Sequence, residues 1–377
     1  MSNLVIEQTK SGAKYCRNSS AQRLALQSKL LEYYGFKGKH NMVACVFPSG
    51  MTSISAIMNV TALNPYVGKT IFVIGDELYC DTEKVCKYQT QYNNEFSYEQ
   101  VNVQQMDKIQ ELFKKYGAEI KLFFIETCTN PSGQMFDFSK LKELKLLAPK
   151  CIVVVDNTWV SGCSFNPFEY GADCVIESMT KYISGGTCIG GMMIGRKDIM
   201  DKVTNYSKIN GLFVGSDHCE LFLNGMSTIK QRIANVSKLT ITVADYLENK
   251  QEVSRVMYPL LKSHPTYEIA SKYLKYGPGI IWFHMVSTIE KMSIVHKLLS
   301  DNKYLSYETS YGSPHSKIDQ WPVLGKGFLY DNNNFENNKD GIWIRLSIGY
   351  ESDINIIIKG LEEIFSKNSQ LNKNIKI

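Results

Sequence analysis

Apolar runs alternate with stretches of helical periodicity along most of this chain. Asn41 to Val46, Thr70 to Ile74, Ile120 to Glu126, Cys151 to Val155 and Cys174 to Ile176 are short, almost wholly apolar, and bounded by polar or turn residues. Runs of that kind predict strands buried on both faces, as in a parallel sheet covered by helices. Between them, Leu24, Leu26, Leu30, Leu31 and Tyr34 recur at helical spacing, as do Ile54, Ile57, Met58 and Val60. Helices are also predicted over 84–90, Met106 to Tyr116 and Phe138 to Ala148, and a strand over Glu95 to Val103. Thr187 to Gly195 is apolar and Gly-rich. A long helix follows from Asp217 to Asn249, with Leu221, Leu223, Met226, Ile229, Ile233 and Val236 on its apolar face. Beyond it the strands are fewer: Gly279 to Val286, Lys303 to Glu308 and Trp343 to Ser347, with helices near 288–300 and 353–366.

The alternation predicts an α/β fold with a mostly parallel sheet in a large domain and a smaller C-terminal α/β domain. The expected division is an N-terminal arm and helix over 1–40, a large domain over 41–248 and a small domain over 249–377. With 377 residues, 44% hydrophobic and 21% charged, the chain has the composition of a soluble globular protein with a large core. The net charge of +5 is spread without a dense basic run, and the Asn-rich tail from Lys367 to Lys376 reads as a solvated end, so no nucleic-acid partner is expected. No apolar run approaches a membrane span, and Met1-Ser2-Asn3-Leu4 does not begin a signal peptide. Ten cysteines include Cys45, Cys128, Cys151 and Cys174 within apolar runs and no CxxC pair; the expected compartment is the cytoplasm. Six scattered histidines suggest no metal site.

Candidate chemistry gathers at the ends of the predicted strands. Lys181 follows the run Cys174-Val175-Ile176, with Ser178 and Thr180 just before it. A lysine there can form a Schiff base with an aldehyde cofactor whose phosphate the hydroxyls bind. Asp156 ends the run Val153-Val154-Val155. Pyridoxal phosphate needs such a carboxylate to keep its ring nitrogen protonated. Ser49-Gly50-Met51 opens a helix whose N–H groups favour a phosphate, although a plain helix cap has the same sequence. Tyr79 and Asn130 also fall just past strand ends, where ligands of parallel sheets collect. The glycines from Gly185 to Gly191 lack the spacing of a nucleotide loop.

Taken in order, these segments resemble the Cys/Met-metabolism pyridoxal-phosphate enzymes, which include cystathionine γ-synthase, cystathionine β- and γ-lyases, methionine γ-lyase and O-acetylhomoserine sulfhydrylase. Ser178-Met179-Thr180-Lys181-Tyr182 is similar to that family's Ser-x-Thr-Lys-Tyr, and Val155-Asp156-Asn157-Thr158 to its Val-Asp-Asn-Thr. Thr129-Asn130-Pro131, the helix Leu223 to Ile229 and Arg345-Leu346-Ser347-Ile348-Gly349 also have counterparts there. The resemblance implies fold type I, the aspartate-aminotransferase-like fold. It implies that Lys181 carries the cofactor and then moves protons, and that Asp156 holds the ring nitrogen. Tyr79 stacks on the ring and assists proton transfer; Asn130 meets the ring oxygen; Ser49, Gly50, Met51, Ser178 and Thr180 hold the phosphate. Arg345 clamps the substrate carboxylate, with Ser310 beside it. Tyr15 and Arg17 resemble a Tyr-x-Arg pair that reaches the phosphate of a neighbouring subunit, which implies a homodimer or homotetramer with shared active sites.

The departures from the family pattern fall at the substrate rim. Asn18-Ser19-Ser20 stands for Asn-Pro-Thr, Tyr79-Cys80-Asp81-Thr82 for Tyr-Gly-Gly-Thr, Glu177 for a histidine, Gly186-Thr187-Cys188-Ile189 for Gly-His-Ser-Asp, and Ser310-Tyr311-Gly312-Ser313 for Ser-Leu-Gly-Gly. Cys80 sits one position from a family thiol and reads as structural. The expected activity is γ-replacement or β/γ-elimination on homoserine-ester or cystathionine-like substrates, in trans-sulfuration-type metabolism. The alternatives are a non-catalytic homologue acting in binding or assembly, and another fold type I activity such as an aminotransferase.

Overall fold

The structure is a computed structural model that describes residues 20–63, 69–289, 292–320 and 341–375. Tyr15, Arg17 and the polar loop Asp331 to Asn338 lie outside the described residues. Strands β1 (Met42–Phe47), β2 (Thr70–Gly75), β3 (Phe96–Val101), β4 (Ile120–Glu126), β5 (Ile152–Asp156), β6 (Cys174–Ser178) and β7 (Gly191–Arg196) form one sheet in the order β1-β7-β6-β5-β4-β2-β3. All neighbours from β6 to β3 are parallel, whereas β7 runs antiparallel to both β1 and β6.

The apolar runs become strands because both faces of this sheet are covered. Side chains alternate across a strand. Thus Phe72, Ile74, Leu122, Phe124, Val154 and Ile176 enter one core with α2 (Gly50–Ala62), α3 (Thr82–Thr90) and α6 (Lys197–Ile209). Val73, Phe123, Ile125, Val153, Val155 and Val175 enter the other with α1 (Ala21–Tyr33), α4 (Met106–Tyr116), α5 (Leu141–Leu147) and α7 (Ser216–Glu248). Helix α7 continues past this core. Its Phe222, Met226, Ile229 and Ile233 pack on the first sheet, and its Val243, Ala244 and Leu247 pack on the second.

That second sheet has the order β10-β11-β12-β9-β8, from β8 (Val253–Met257), β9 (Ile280–Val286), β10 (Ser306–Tyr307), β11 (Lys317–Gln320) and β12 (Gly341–Ser347). It is antiparallel except between β10 and β11. Ile281, Phe283, Met285, Ile344 and Leu346 meet α7, α9 (Met292–Ser300) and α10 (Ile354–Ile375). A short helix α8 (Tyr267–Tyr273) precedes β9.

Four elements were not expected from the pattern: α6, β8, α8 and β11. A bulge between Val253 and Arg255 breaks the alternation of β8. In β11 only Ile318 is fully buried, so its four residues carry no periodic signal. The strand expected over 303–308 contracts to Ser306–Tyr307. The helix expected over 138–148 starts as a 3₁₀ turn, Phe138–Lys140, before α5.

Two contacts fix the parts that border the strand ends. Tyr34, just after α1, donates its hydroxyl hydrogen bond to Oε1 of Glu177 and accepts one from Asn157 Nδ2 at 3.0 Å. Gly162 N donates to the same Glu177 oxygen at 3.0 Å. Burial pushes the Glu177 carboxyl up to about 8, against the pull of those two donors. At the other side, Gly191 is the residue on which α2 rests. A Cβ there would lie 2.2 Å from Ser49 O and 2.5 Å from Ser53 Oγ.

Replacing Gly191 by alanine must push the start of α2 off the sheet. We expect a loss of about 1–3 kcal/mol in urea unfolding, the usual cost of overpacking, with weaker phosphate binding; an unchanged midpoint would show that the contact yields freely. Glu177 gives a test in pH. Its folded-state value near 8 exceeds that of an unfolded glutamate, about 4.3, so the folded state keeps a proton that the unfolded chain releases. This contribution is full below the unfolded value and is lost as pH rises through the folded one. Glu177→Gln should therefore lose less thermal stability than the parent between pH 5 and 8. Parallel melting curves across that range would remove Glu177 as a source of the dependence.

Candidate active site

A cavity of about 300 Å³ opens at the carboxyl ends of the parallel strands. Ser49, Gly50, Met51, Tyr79, Asn130, Asp156, Ser178, Thr180, Lys181, Ser310 and Arg345 all line it. Each is a site residue expected from the sequence. Tyr15 and Arg17 are the named site residues outside the described part of the chain.

Lys181 lies in the turn after β6. Its Nζ donates to Ser310 Oγ at 2.7 Å and lies 5.0 Å from the centroid of the Tyr311 ring. Burial lowers its ammonium to about 8, helped by the nearby Arg345 and Lys317 and opposed by Asp156. A measurable fraction is therefore an unprotonated, nucleophilic amine at neutral pH. Asp156 ends β5, where its Oδ1 accepts from Thr158 N at 2.9 Å and from Thr158 Oγ1 at 2.5 Å. Burial raises this carboxyl, and the two Thr158 donors and Lys181 hold it down. The Thr158 hydroxyl also accepts from Ser178 N at 2.8 Å, which ties the ends of β5 and β6 together.

Ser49 serves as the cap of α2. Its side chain accepts from Thr52 N at 3.1 Å, and Thr52 Oγ1 accepts from Ser49 N at 2.9 Å. What this turn offers an anion is therefore the N–H row of the first helical turn, which has no carbonyl partner within a helix. A Cβ on Gly50 would lie 2.9 Å from Ser178 Cβ, so glycine lets the helix start approach Ser178. The Thr180 hydroxyl holds the Gly190 backbone, donating to its carbonyl at 3.2 Å and accepting from its N–H at 3.1 Å.

Arg345, on β12, is buried, and its Nη2 donates to Thr309 Oγ1 at 2.8 Å. Burial lowers its guanidinium, while Asp319, its register partner on β11, raises it. Ser310, beside Thr309, has φ +80°, a left-handed conformation that is unusual for a residue with a side chain.

The sequence did not point to Glu126, Thr309, Trp159 or Ile54, which also line the cavity, as do Tyr311 and Ile189 from the segments that depart from the family pattern. Glu126 could have been found, since it ends an apolar run as Asp156 does. It is buried, and its Oε1 accepts from Tyr79 N at 2.5 Å. Its carboxyl is raised well above the usual range by burial and then by Asp156. Glu77 makes a matching tie, accepting from Ser132 N at 2.9 Å and from Ser132 Oγ at 2.6 Å. Two acids, Glu126 buried and Glu77 half-buried, thus tie the Tyr79 turn to β4 and to the Asn130 turn.

These residues fit pyridoxal phosphate. The buried Oδ1 of Asn130, a residue of the cavity lining, accepts no hydrogen bond among the described residues and has unmet capacity. Asp156 is a buried carboxylate with neutral donors and no ion-pair partner among the described residues, which suits a protonated aromatic nitrogen. Gly50 and Ser178 leave a cradle for a phosphate at a helix N-terminus. Among the described residues no His/Cys/Asp/Glu group could hold a metal ion.

Comparison with known proteins agrees. The chain matches the Cys/Met metabolism PLP-dependent enzyme family over residues 2–366. It is 29% identical to an L-methionine gamma-lyase of Fusobacterium nucleatum subsp. polymorphum, over 84% of this chain and 79% of that one. It is 26% identical to a cystathionine beta-lyase of Lactococcus lactis subsp. cremoris, over 94% and 88%. The crystal structure of cystathionine gamma synthase from Xanthomonas oryzae pv. oryzae in complex with cystathionine has the same fold, with a TM-score of 0.80 at 21% identity over 97% of this chain and 92% of that one. The cavity and the matches together show that this chain belongs to the Cys/Met metabolism PLP-dependent enzymes of fold type I, with pyridoxal phosphate as its cofactor.

Proposed function

We propose that this enzyme catalyses β- or γ-elimination, or γ-replacement, on a sulfur-containing or homoserine-derived amino acid. The observation that carries this reading is the convergence of Lys181, Asp156, Asn130 and Arg345 on one cavity next to a helix N-terminus. Pyridoxal phosphate, when bound, supplies an aldehyde that condenses with amines and a protonated ring that draws electrons from the carbon bearing the amine.

The chain's own residues do the rest. The first turn of α2, through the N–H groups of Gly50 and Met51, would hold the phosphate with Ser178 and Thr180, while Ser49 caps that turn. Asp156, oriented by the two Thr158 donors, would hold the ring-nitrogen proton. Asn130 would meet the ring oxygen. Tyr79, fixed through its backbone by Glu126, would cover the ring face and pass a proton to the departing group. Arg345 would clamp the substrate carboxylate with its planar fork, held by Thr309, and Ser310 lies beside it. Lys181 would bind the aldehyde, then take the proton from the α-carbon and return one at the neighbouring carbon.

A homodimer or homotetramer with shared sites is part of this proposal. Tyr79 and Ile189 leave the rim of the cavity partly exposed, which supports a neighbouring subunit there. A cytoplasmic home is supported by the free thiol state of the described cysteines. No helix of the described residues is long and apolar enough to cross a membrane. The second core begins on the last turns of α7, which supports a small C-terminal domain from about that point.

Incubation of the purified protein and pyridoxal phosphate with a panel of sulfur and homoserine-derived amino acids, read by mass spectrometry, should yield a keto acid with ammonia or a new thioether. Transfer of the amino group alone, leaving an amine-form cofactor, would point to an aminotransferase and overturn the proposal. Borohydride reduction should leave a pyridoxyl group on Lys181 in peptide maps, and Lys181→Ala should carry none. Arg345→Ala should raise KM about a hundredfold, as loss of a charge-assisted pair implies; an unchanged KM would assign the carboxylate elsewhere.

A further inference from the structure

Tyr311 stands where the family pattern has leucine, and it occupies the wall behind Lys181. The loop that carries it is pressed onto the lysine's own backbone. Gly312, at φ +80°, is so close that a Cβ would lie 2.6 Å from the Lys181 carbonyl carbon and 2.8 Å from Tyr182 N. The Tyr311 ring is 7% exposed and is held by Trp159, edge-on at 6.4 Å, and by Tyr182 at 5.5 Å. Its centroid is 5.0 Å from Lys181 Nζ, inside the range at which an ammonium is attracted to a ring face. The same Nζ donates to Ser310 Oγ at 2.7 Å.

We propose that Tyr311 is a positioning residue for Lys181. Its ring face, with the Ser310 hydroxyl, holds the ε-ammonium once the substrate amine has taken the lysine's place on the cofactor. This rests on the reading of Lys181 as the residue that carries the cofactor and moves protons. At that stage the lysine amine would take a proton from the α-carbon, and the electron pair left behind is the one that the bound cofactor's ring would draw on. The ammonium must then hold that proton until it is delivered to the neighbouring carbon or the departing group. A carboxylate against it would compete for the proton. A ring face attracts the cation and has no lone pair positioned to take the proton, so it retains the charge without consuming it. The other groups that bear electrostatically on Lys181 are Asp156 from the end of β5, which favours the ammonium, and Arg345 from β12 and Lys317 from β11, which oppose it. Tyr311 and Asp156 therefore act against two cations and the burial of the site, which still lower the ammonium.

The test uses the full-length protein freed of cofactor. Lys181 is acetylated with acetic anhydride over a range of pH and the product is quantified by peptide mass spectrometry, because only the unprotonated amine reacts. Tyr311→Phe keeps the ring and should leave the pH midpoint unchanged. Tyr311→Leu, and trifluorophenylalanine placed at 311, should lower the midpoint by about half a unit to one and a half units. The fluorinated ring conserves shape, so it reports on the ring's charge distribution even if the leucine variant packs poorly. A midpoint that does not move with either replacement overturns the proposal. Borohydride trapping on Lys181 in the same variants is a separate readout: an adduct with an unmoved midpoint sinks this inference alone, whereas no adduct in the parent protein sinks the reading of Lys181.

Discussion

Strand register decides where the chemistry of this protein lies. Parallel pairing sets Glu126 opposite Asp156, and Asp156 opposite Ile176, so the acids of β4 and β5 finish level with the turn that carries Lys181. The antiparallel β7 then does something the parallel strands cannot. Its Gly191 pairs with Ser178 on one side and with Phe47 on the other. The turn after β1 is thereby brought against Ser178, although the two lie far apart in sequence. Helix α2 starts there, and its N–H row faces the cavity because Gly191 and Gly50 carry no side chain in the way. A slip of one residue in β4 or β5 would turn that strand's side chains, Glu126 or Asp156 included, to the opposite face.

The electrostatics follow from that crowding. Near the strand ends Glu126 and Glu177 are buried and Glu77 is half-buried, and their hydrogen bonds come from backbone N–H groups and hydroxyls. With no ion-pair partner among the described residues, burial dominates and pushes their carboxyls upward. They act as hydrogen-bonding ties between turns. Burial raises Asp156 as well, and the two Thr158 donors and then Lys181 oppose that rise. Asp156, Lys181 and Arg345 are the cavity groups to which the proposed chemistry gives work.

The first sheet is largely legible in the sequence because its strands are buried on both faces and read as unbroken apolar runs. Lys181, Asp156 and Asn130 are legible for a related reason: each stands just after such a run, where a parallel sheet exposes its ligands. Thr309 is not, and Tyr311 is legible only as a departure from the family pattern. They belong to a loop between short, weakly patterned strands, and only tertiary packing sets that loop over Lys181. Glu177 reads as an anomaly in sequence and becomes intelligible only when Tyr34 and Gly162 close around it. Strands β8 and β11 escape notice because a bulge interrupts one and the other buries one side chain fully.

Helix α7 has a consequence for how the molecule comes apart. Its 33 residues span about 50 Å, and its two ends complete different apolar cores. Neither core can lose its stretch of this helix without fraying the stretch that covers the other. Cooperative unfolding units follow such shared elements. Thermal denaturation of the isolated chain therefore couples the two sheets into one transition, and an intermediate with one sheet intact and the other melted is penalised by the same helix that joins them.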